Sequence, residues 1–282
     1  MGYQDIIREV ASGTVWITIN RPRVHNAVRE RTLDELIAAV RQANAEPEVG
    51  SVVITGAGDR AFCAGGDFAS MMHLDRESGH LWNNRMIDLA MTIRRLGKPV
   101  IAMVNGWCMG GGNEIQLMCD LTIASDRALF GQTGAKVGAC PVVGATQYLP
   151  RLIGDKRAKE MIFLCDRYTA EESCRMGMIN KVVPHDQLRA ETERWCQKIL
   201  THSPQTIRYT KVSMNFESDL LYPSWIHGVE MLSAVWGSAE SLEGMRAFAE
   251  KRQPDFSPWR SRAEHGVNVH KAWLKETQAL EA

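Results

Sequence analysis

The chain carries no excess of either charge: Lys and Arg total 33, Asp and Glu total 33, and no basic block interrupts the balance. A protein that binds a phosphate backbone needs such an excess on one face, so nucleic acid is excluded as the expected partner. The seven cysteines stand scattered, odd in number and without a CxxC pair, which argues against a disulfide framework and against a zinc site. The eight histidines show no ligand spacing either. No apolar run is long enough to span a bilayer, and MGYQDIIREV carries charge where a signal peptide requires an apolar stretch. A cytoplasmic location is therefore expected. Three common site motifs are also missing: a P-loop, a serine nucleophile elbow, and a G-x-G-x-x-G turn opening a helix directly after its strand.

What is present is a core-forming composition, 45% hydrophobic over 282 residues, enough for one large domain or a domain with an appendage. Its periodicity alternates. TVWITIN (14–20), SVVIT (51–55), KPVIAMV (98–104) and LTIAS (121–125) read as strands, separated by helical patterns over 31–44, 81–96 and the segment after the glycine triplet. Strands separated by helices imply a parallel α/β sheet with right-handed crossovers. From about residue 143 the pattern reads as almost wholly helical, with helices expected over 155–165, 169–177, 186–200, from Pro204, and over 241–252. Domain boundaries are expected at 1–200 for the core, 201–256 for a helical carboxy-terminal region, and 257–282 for a polar tail.

Two glycine-rich segments follow strands, AFCAGGDF (61–68) and GWCMGGGNEIQLMCD (106–120). Glycine is a poor helix residue, yet the triplet Gly110–Gly112 leads straight into a helical pattern. A helix start exposes unpaired N–H groups and partial positive charge, and glycine lets a ligand reach the main chain. The plain structural alternative is close packing of helix on strand. Because adjacent parallel strands supply both turns, two N–H groups can converge on one point, which is the geometry of an oxyanion hole.

These segments, with NRPRVHNAV (20–28), KPVIAMVNGWCMGGGNE (98–114), ASDRALFGQTGAKVG (124–138) and EGMRAFAEKRQPDF (243–256), resemble the crotonase, or enoyl-CoA hydratase/isomerase, superfamily in order and spacing over nearly the whole length. The resemblance implies a ClpP-like spiral of β-β-α turns with a helical carboxy-terminal trimerisation region, giving a homotrimer or homohexamer. It implies an acyl-CoA thioester as the small-molecule partner and no metal or redox cofactor. The amides of Gly66 and Gly111 would polarise the thioester carbonyl, and Glu114 matches the first of two acid–base glutamates. Gly134 stands where the second should be. His25 and Ala27 fall in the turn that receives CoA, Ala64 and Asp67 flank the oxyanion segment, and Lys251 matches a lysine that contacts CoA phosphate. Asp67 also reads as a helix cap and Lys251 as a solvated last-turn cation.

GQTGAKVG, RLIGDKRAKEMIFLC and RQPDF are most similar to the branch that holds 1,4-dihydroxy-2-naphthoyl-CoA synthase and the alicyclic ring-opening hydrolases. That branch makes or breaks a carbon–carbon bond through a thioester enolate. Gln132, Thr133 and Gly134 would line the ring pocket, and an equivalent glycine in some synthases leaves room for a bound bicarbonate. Where the synthase and the 2-oxocyclohexanecarboxyl-CoA hydrolase carry an Asp and then an aromatic residue, this chain has Pro141 and Gly144; where the synthase carries a tyrosine, this chain has Trp236; VVGATQYLP (142–150) with Glu114 resembles the 6-oxocyclohexene type. The expected reaction is hydrolytic opening of a cyclic oxoacyl-CoA. An enoyl-CoA hydratase or isomerase, a synthase-like ring closure and a noncatalytic acyl-CoA binder are the alternatives.

Overall fold

Val52, Val53 and Ile54 are each fully buried, as a central parallel strand covered on both faces requires. The structure, a computed structural model, describes residues 2–260. In chain order the strands are β1 (Ile6–Ala11), β2 (Thr14–Ile19), β3 (Ser51–Gly56), β4 (Ala61–Cys63), β5 (Val100–Val104), β6 (Trp107–Met109), β7 (Leu121–Ser125), β8 (Leu129–Gly131), β9 (Tyr168–Thr169) and β10 (Lys181–Val183). The helices are α1 (Glu30–Ala45), the single turn α2 (Phe68–Met71), α3 (Arg76–Arg95), α4 (Gly111–Met118), α5 (Ala145–Ile153), α6 (Asp155–Leu164), α7 (Ala170–Arg175), α8 (Leu188–Leu200), α9 (Pro204–Asp219), α10 (Tyr222–Val235), α11 (Ala239–Ala249) and the turn α12 (Ser257–Arg260).

Two sheets share these strands. One runs β1-β2-β3-β5-β7-β10 and the other β4-β6-β8-β9. Within the first, only the β1–β2 pair is antiparallel, closed by Ser12 and Gly13, both at positive φ as a two-residue hairpin turn demands. Each circuit of the chain deposits one strand in each sheet before returning through a helix: β3 then β4, β5 then β6, β7 then β8. This is the expected spiral of β-β-α turns.

The second sheet is absent from the sequence reading. Its strands are two or three residues long and three of them, β4, β6 and β8, adjoin or lie inside glycine-rich segments, so NGWCMGGG, read as a turn, contains β6. The stretch after residue 143 also holds two strands, β9 and β10, and β10 completes the edge of the first sheet. The helix expected from residue 186 starts at Leu188 after a 3-10 turn over His185–Gln187. Thr169 caps α7 with Glu172 answering, and Ser203 caps α9 ahead of Pro204. Of the tail expected over 257–282, residues from 261 onward lie outside the described residues.

One face of the first sheet packs Trp16, Val53, Ile101 and Ile123 under Leu188 and Cys196 of α8. The opposite face, with α1 and α3, encloses the larger core. The carboxy-terminal helices are tied to that core by polar contacts. Lys211 of α9, 8% exposed, donates to the carbonyls of Ile93 and Lys98 and to Asp120 Oδ2 at 2.9, 3.1 and 2.6 Å. On α10, Ser233 accepts from Asn83 Nδ2 at 3.1 Å, which holds α10 against α3 and carries Leu232 and Trp236 over the site.

Candidate active site

The three glycines at the start of α4 do three different jobs. Gly110 adopts φ 51°, a region that L side chains seldom enter. Gly112 lies so close to β4 that a β-carbon would stand 2.1 Å from the carbonyl oxygen of Cys63, so close helix-on-strand packing explains this residue. Gly111 is the open one. A β-carbon there would lie 3.7 Å from Gly66 N, and neither the Gly66 nor the Gly111 N–H has an acceptor among the described residues. The helix start and the end of β4 thus present two free amides side by side.

Three main-chain hydrogen bonds hold the Gly66 segment in place: Ala64 N to His25 O at 3.0 Å, Val28 N to Gly65 O at 2.8 Å, and Asp67 N to Val28 O at 2.8 Å. They also run the His25–Ala27 turn alongside the site. His25 sits at φ 52° with its ring 5.2 Å from that of Trp107.

A pocket opens in front of the two amides, lined by Gly66, Gly111, Glu114, Trp82, Val143 and Trp236, among others. Ala64, Gln132, Thr133, Gly134 and Pro141 also line it, as the sequence places them. Among the described residues Glu114 is the single carboxylate in that lining. It is 7% exposed, and its Oε1 accepts from Val143 N at 2.9 Å. Burial among Met86, Leu89 and Ile93 disfavours the ionised form, and the carboxyl is pushed up to about 8 although the amides of Val143 and Ala145 pull the other way. Gln132 is fully buried, with neither amide atom partnered among the described residues.

At Gly134 the space for a side chain is closed. A β-carbon would come 2.6 Å from the carbonyl oxygen of Ala139 and 3.4 Å from Pro141 Cδ. The loop itself fills the direction in which a second glutamate would point.

Asp67 lies outside the pocket lining. Its Oδ2 pairs with Arg21 Nη2 at 2.7 Å and its Oδ1 caps α2 through Ala69 N at 3.0 Å, the helix-cap role that the sequence also offers, so both oxygens are engaged in holding the local turn. His25, Ala27 and Lys251 are likewise outside the lining. Lys251 follows three residues after Phe248, whose ring stacks on Phe68 at 4.2 Å and 21° at the pocket wall. Close approaches at Gly138 and Gly244 press α11 onto the loop over 134–138.

Trp82, Phe68, Met71, Val143 and Leu232 complete the pocket and were not read from the sequence. A tryptophan on the inward face of an amphipathic helix has the pattern of an ordinary core residue, and no spacing signal separates it.

The family pattern described as enoyl-CoA hydratase/isomerase matches residues 9–258, and the chain belongs to that family. Among solved structures it is similar to an enoyl-CoA hydratase from Mycobacterium avium subsp. paratuberculosis, with 28% identity, 91% of this chain and 100% of that chain covered, and a TM-score of 0.83. An enoyl-CoA hydratase/isomerase from Xanthobacter autotrophicus shares 32% identity over 88% of this chain and 94% of its own, at a TM-score of 0.82. A carnitinyl-CoA hydratase from Mycobacterium avium shares 30% identity over 90% and 99%, at 0.81. Two free amides, one buried carboxyl and this fold define an acyl-CoA-processing enzyme of the crotonase superfamily.

Proposed function

We propose that the enzyme opens the ring of a cyclic oxoacyl-CoA by hydrolysis of a carbon–carbon bond. The observation that carries this reading is the single carboxyl: Glu114 stands alone in the lining and Ala139 fills the space beside Gly134. Ring opening needs only one such group. Glu114, ionised, takes a proton from water as the oxygen adds to the ring ketone. The bond between the ketone carbon and the α-carbon then breaks, its electron pair passing into the thioester as an enolate. The amides of Gly66 and Gly111 hold the enolate oxygen. Glu114 returns the proton to the α-carbon, and the former ketone carbon becomes a carboxylic acid at the far end of the opened chain. Water is consumed, and Glu114 ends as it began.

The walls suit a compact ring. Trp82 and Trp236 meet edge to face at 6.4 Å, with Leu232 and Val143 beside them, so the acyl end is surrounded by apolar surface. CoA would extend past the His25–Ala27 turn and Lys251. A second reading, enoyl-CoA hydration or isomerisation with Glu114 as the acid–base group, is supported by the names of the similar structures. The exposed apolar side chains Met214 and Phe216 of α9, Leu220 at its end and Met231 of α10 support self-assembly, proposed as a homotrimer or homohexamer, which light scattering would read directly.

The deciding experiment is mass spectrometry after incubation in H₂¹⁸O with crotonyl-CoA, 2-oxocyclohexanecarboxyl-CoA and 6-oxocyclohex-1-ene-1-carbonyl-CoA. A ring-opened carboxylate carrying heavy oxygen is expected from a cyclic substrate. Hydration of crotonyl-CoA with both rings intact would replace this reading with the second.

A further inference from the structure

Two indoles wall the pocket, and they differ in one respect. Trp236 Nε1 donates to Asn83 Oδ1 at 3.3 Å, so that ring offers only apolar surface. Trp82 is 5% exposed and its Nε1–H has no acceptor among the described residues. A buried N–H without a partner is rare in native proteins and marks a place where something else supplies the acceptor. The position says what that is. A β-carbon on Gly66 would meet Met71 Sδ at 2.2 Å and Trp82 Cζ2 at 3.4 Å, and Cζ2 shares an edge of the indole with Nε1. The nitrogen-bearing edge therefore borders the segment whose amide faces the thioester oxygen.

We infer that Trp82 Nε1–H is a substrate-contacting, specificity-determining donor that donates to the second oxygen of the acyl group, the β-oxo oxygen of an oxoacyl thioester, beside the Gly66 and Gly111 amides. This rests on the acyl-CoA reading of the pocket. An indole nitrogen donates and cannot accept, so it selects a carbonyl oxygen over a methylene or an amine at that point. In a β-oxo thioester the two carbonyl oxygens are separated by three carbons and can lie on the same side, matching two donor sets side by side. A hydrogen bond to the ketone oxygen also draws electrons from the carbon that water attacks, and it steadies the alkoxide formed by that attack.

The test uses the Glu114→Gln protein, which halts turnover, with and without Trp82→Phe. Calorimetry measures binding of 2-oxocyclohexanecarboxyl-CoA and of cyclohexanecarboxyl-CoA, which lacks the oxo oxygen. Removing the N–H is expected to weaken the oxo ligand about tenfold and leave the other within about twofold. The ¹⁵N–¹H indole resonance of Trp82, identified by its absence in the Trp82→Phe protein, is expected to move with the oxo ligand only. Equal weakening of both ligands, or an indole resonance that ignores the oxo oxygen, overturns the inference. Oxo-dependent binding by a wild-type enzyme that leaves the ring closed would overturn the ring-opening reaction and leave the role of Trp82 standing.

Discussion

Gly112 and Cys63 are packed so tightly that a β-carbon on Gly112 would stand 2.1 Å from the Cys63 carbonyl oxygen, whereas at the neighbouring Gly111 the nearest contact of a β-carbon is Met86 Cε at 3.6 Å. The two positions should therefore respond in opposite ways to the same substitution. Gly112→Ala forces α4 off β4 and is expected to lose about 1–3 kcal/mol or more of stability. Gly111→Ala fits ordinary van der Waals space and is expected to melt close to wild type, but its methyl group would sit 3.7 Å from Gly66 N, beside the space the proposed oxyanion would take. Loss of turnover by about 10² to 10³ is expected. Thermal melting and turnover of the two variants check both halves.

Glu114→Gln keeps the size and the acceptor oxygen that meets Val143 N, and loses proton transfer. Turnover is expected to fall by about 10² to 10⁴, with acyl-CoA affinity within about threefold of wild type. Steady-state kinetics beside calorimetry separates the two quantities, and unchanged turnover would remove Glu114 from the chemistry.

The pH dependence follows from the same carboxyl. Its folded pKa, about 8, lies above its usual value of 4.5 because burial disfavours the charge. As a base Glu114 must be ionised, so kcat/KM is expected to rise with pH through about 8, and the rise is expected to vanish in Glu114→Gln. Stability runs the other way. Between pH 4.5 and about 8 the folded state holds a proton that the unfolded chain has released, so the contribution present in full below 4.5 is lost as pH rises through that window. Glu114→Gln is expected to gain on wild type by at most about 1.4 kcal/mol per pH unit there, and denaturant melts at three pH values would measure it.

Gly134→Glu is not expected to turn this enzyme into a two-carboxylate hydratase. The side-chain direction meets the Ala139 carbonyl oxygen at 2.6 Å, and the loop over 134–138 is held in turn by α11. Lower stability without any gain in crotonyl-CoA hydration is expected, from melting and from a hydration assay.

Strand and helix periods along the chain, with the Thr169, Ser203 and Gly110–Gly112 signals, were sufficient for the parallel sheet, the capped helices and the helix start at Gly111, because those depend on contacts between near neighbours in sequence. Gly66, Gly111 and Glu114 were named through the family resemblance of their segments, and the structure brings the three into one pocket lining. The second sheet was not legible: β4, β6 and β8 are three residues each, too short for a period, and exist only because the spiral lays them side by side. Nor was the meaning of Gly134, whose empty side-chain position is filled by Ala139, or the setting of Trp82 and Trp236. Asn83 satisfies one indole and leaves the other unpaired. Which of two tryptophans, 154 positions apart by their numbers 82 and 236, finds its N–H partner in Asn83 is set by how α10 packs on α3. Sequence patterns carry local backbone preference and the burial of a face; the direction of a side chain inside a shared pocket is fixed by residues distant in the chain, and that only the tertiary structure decides.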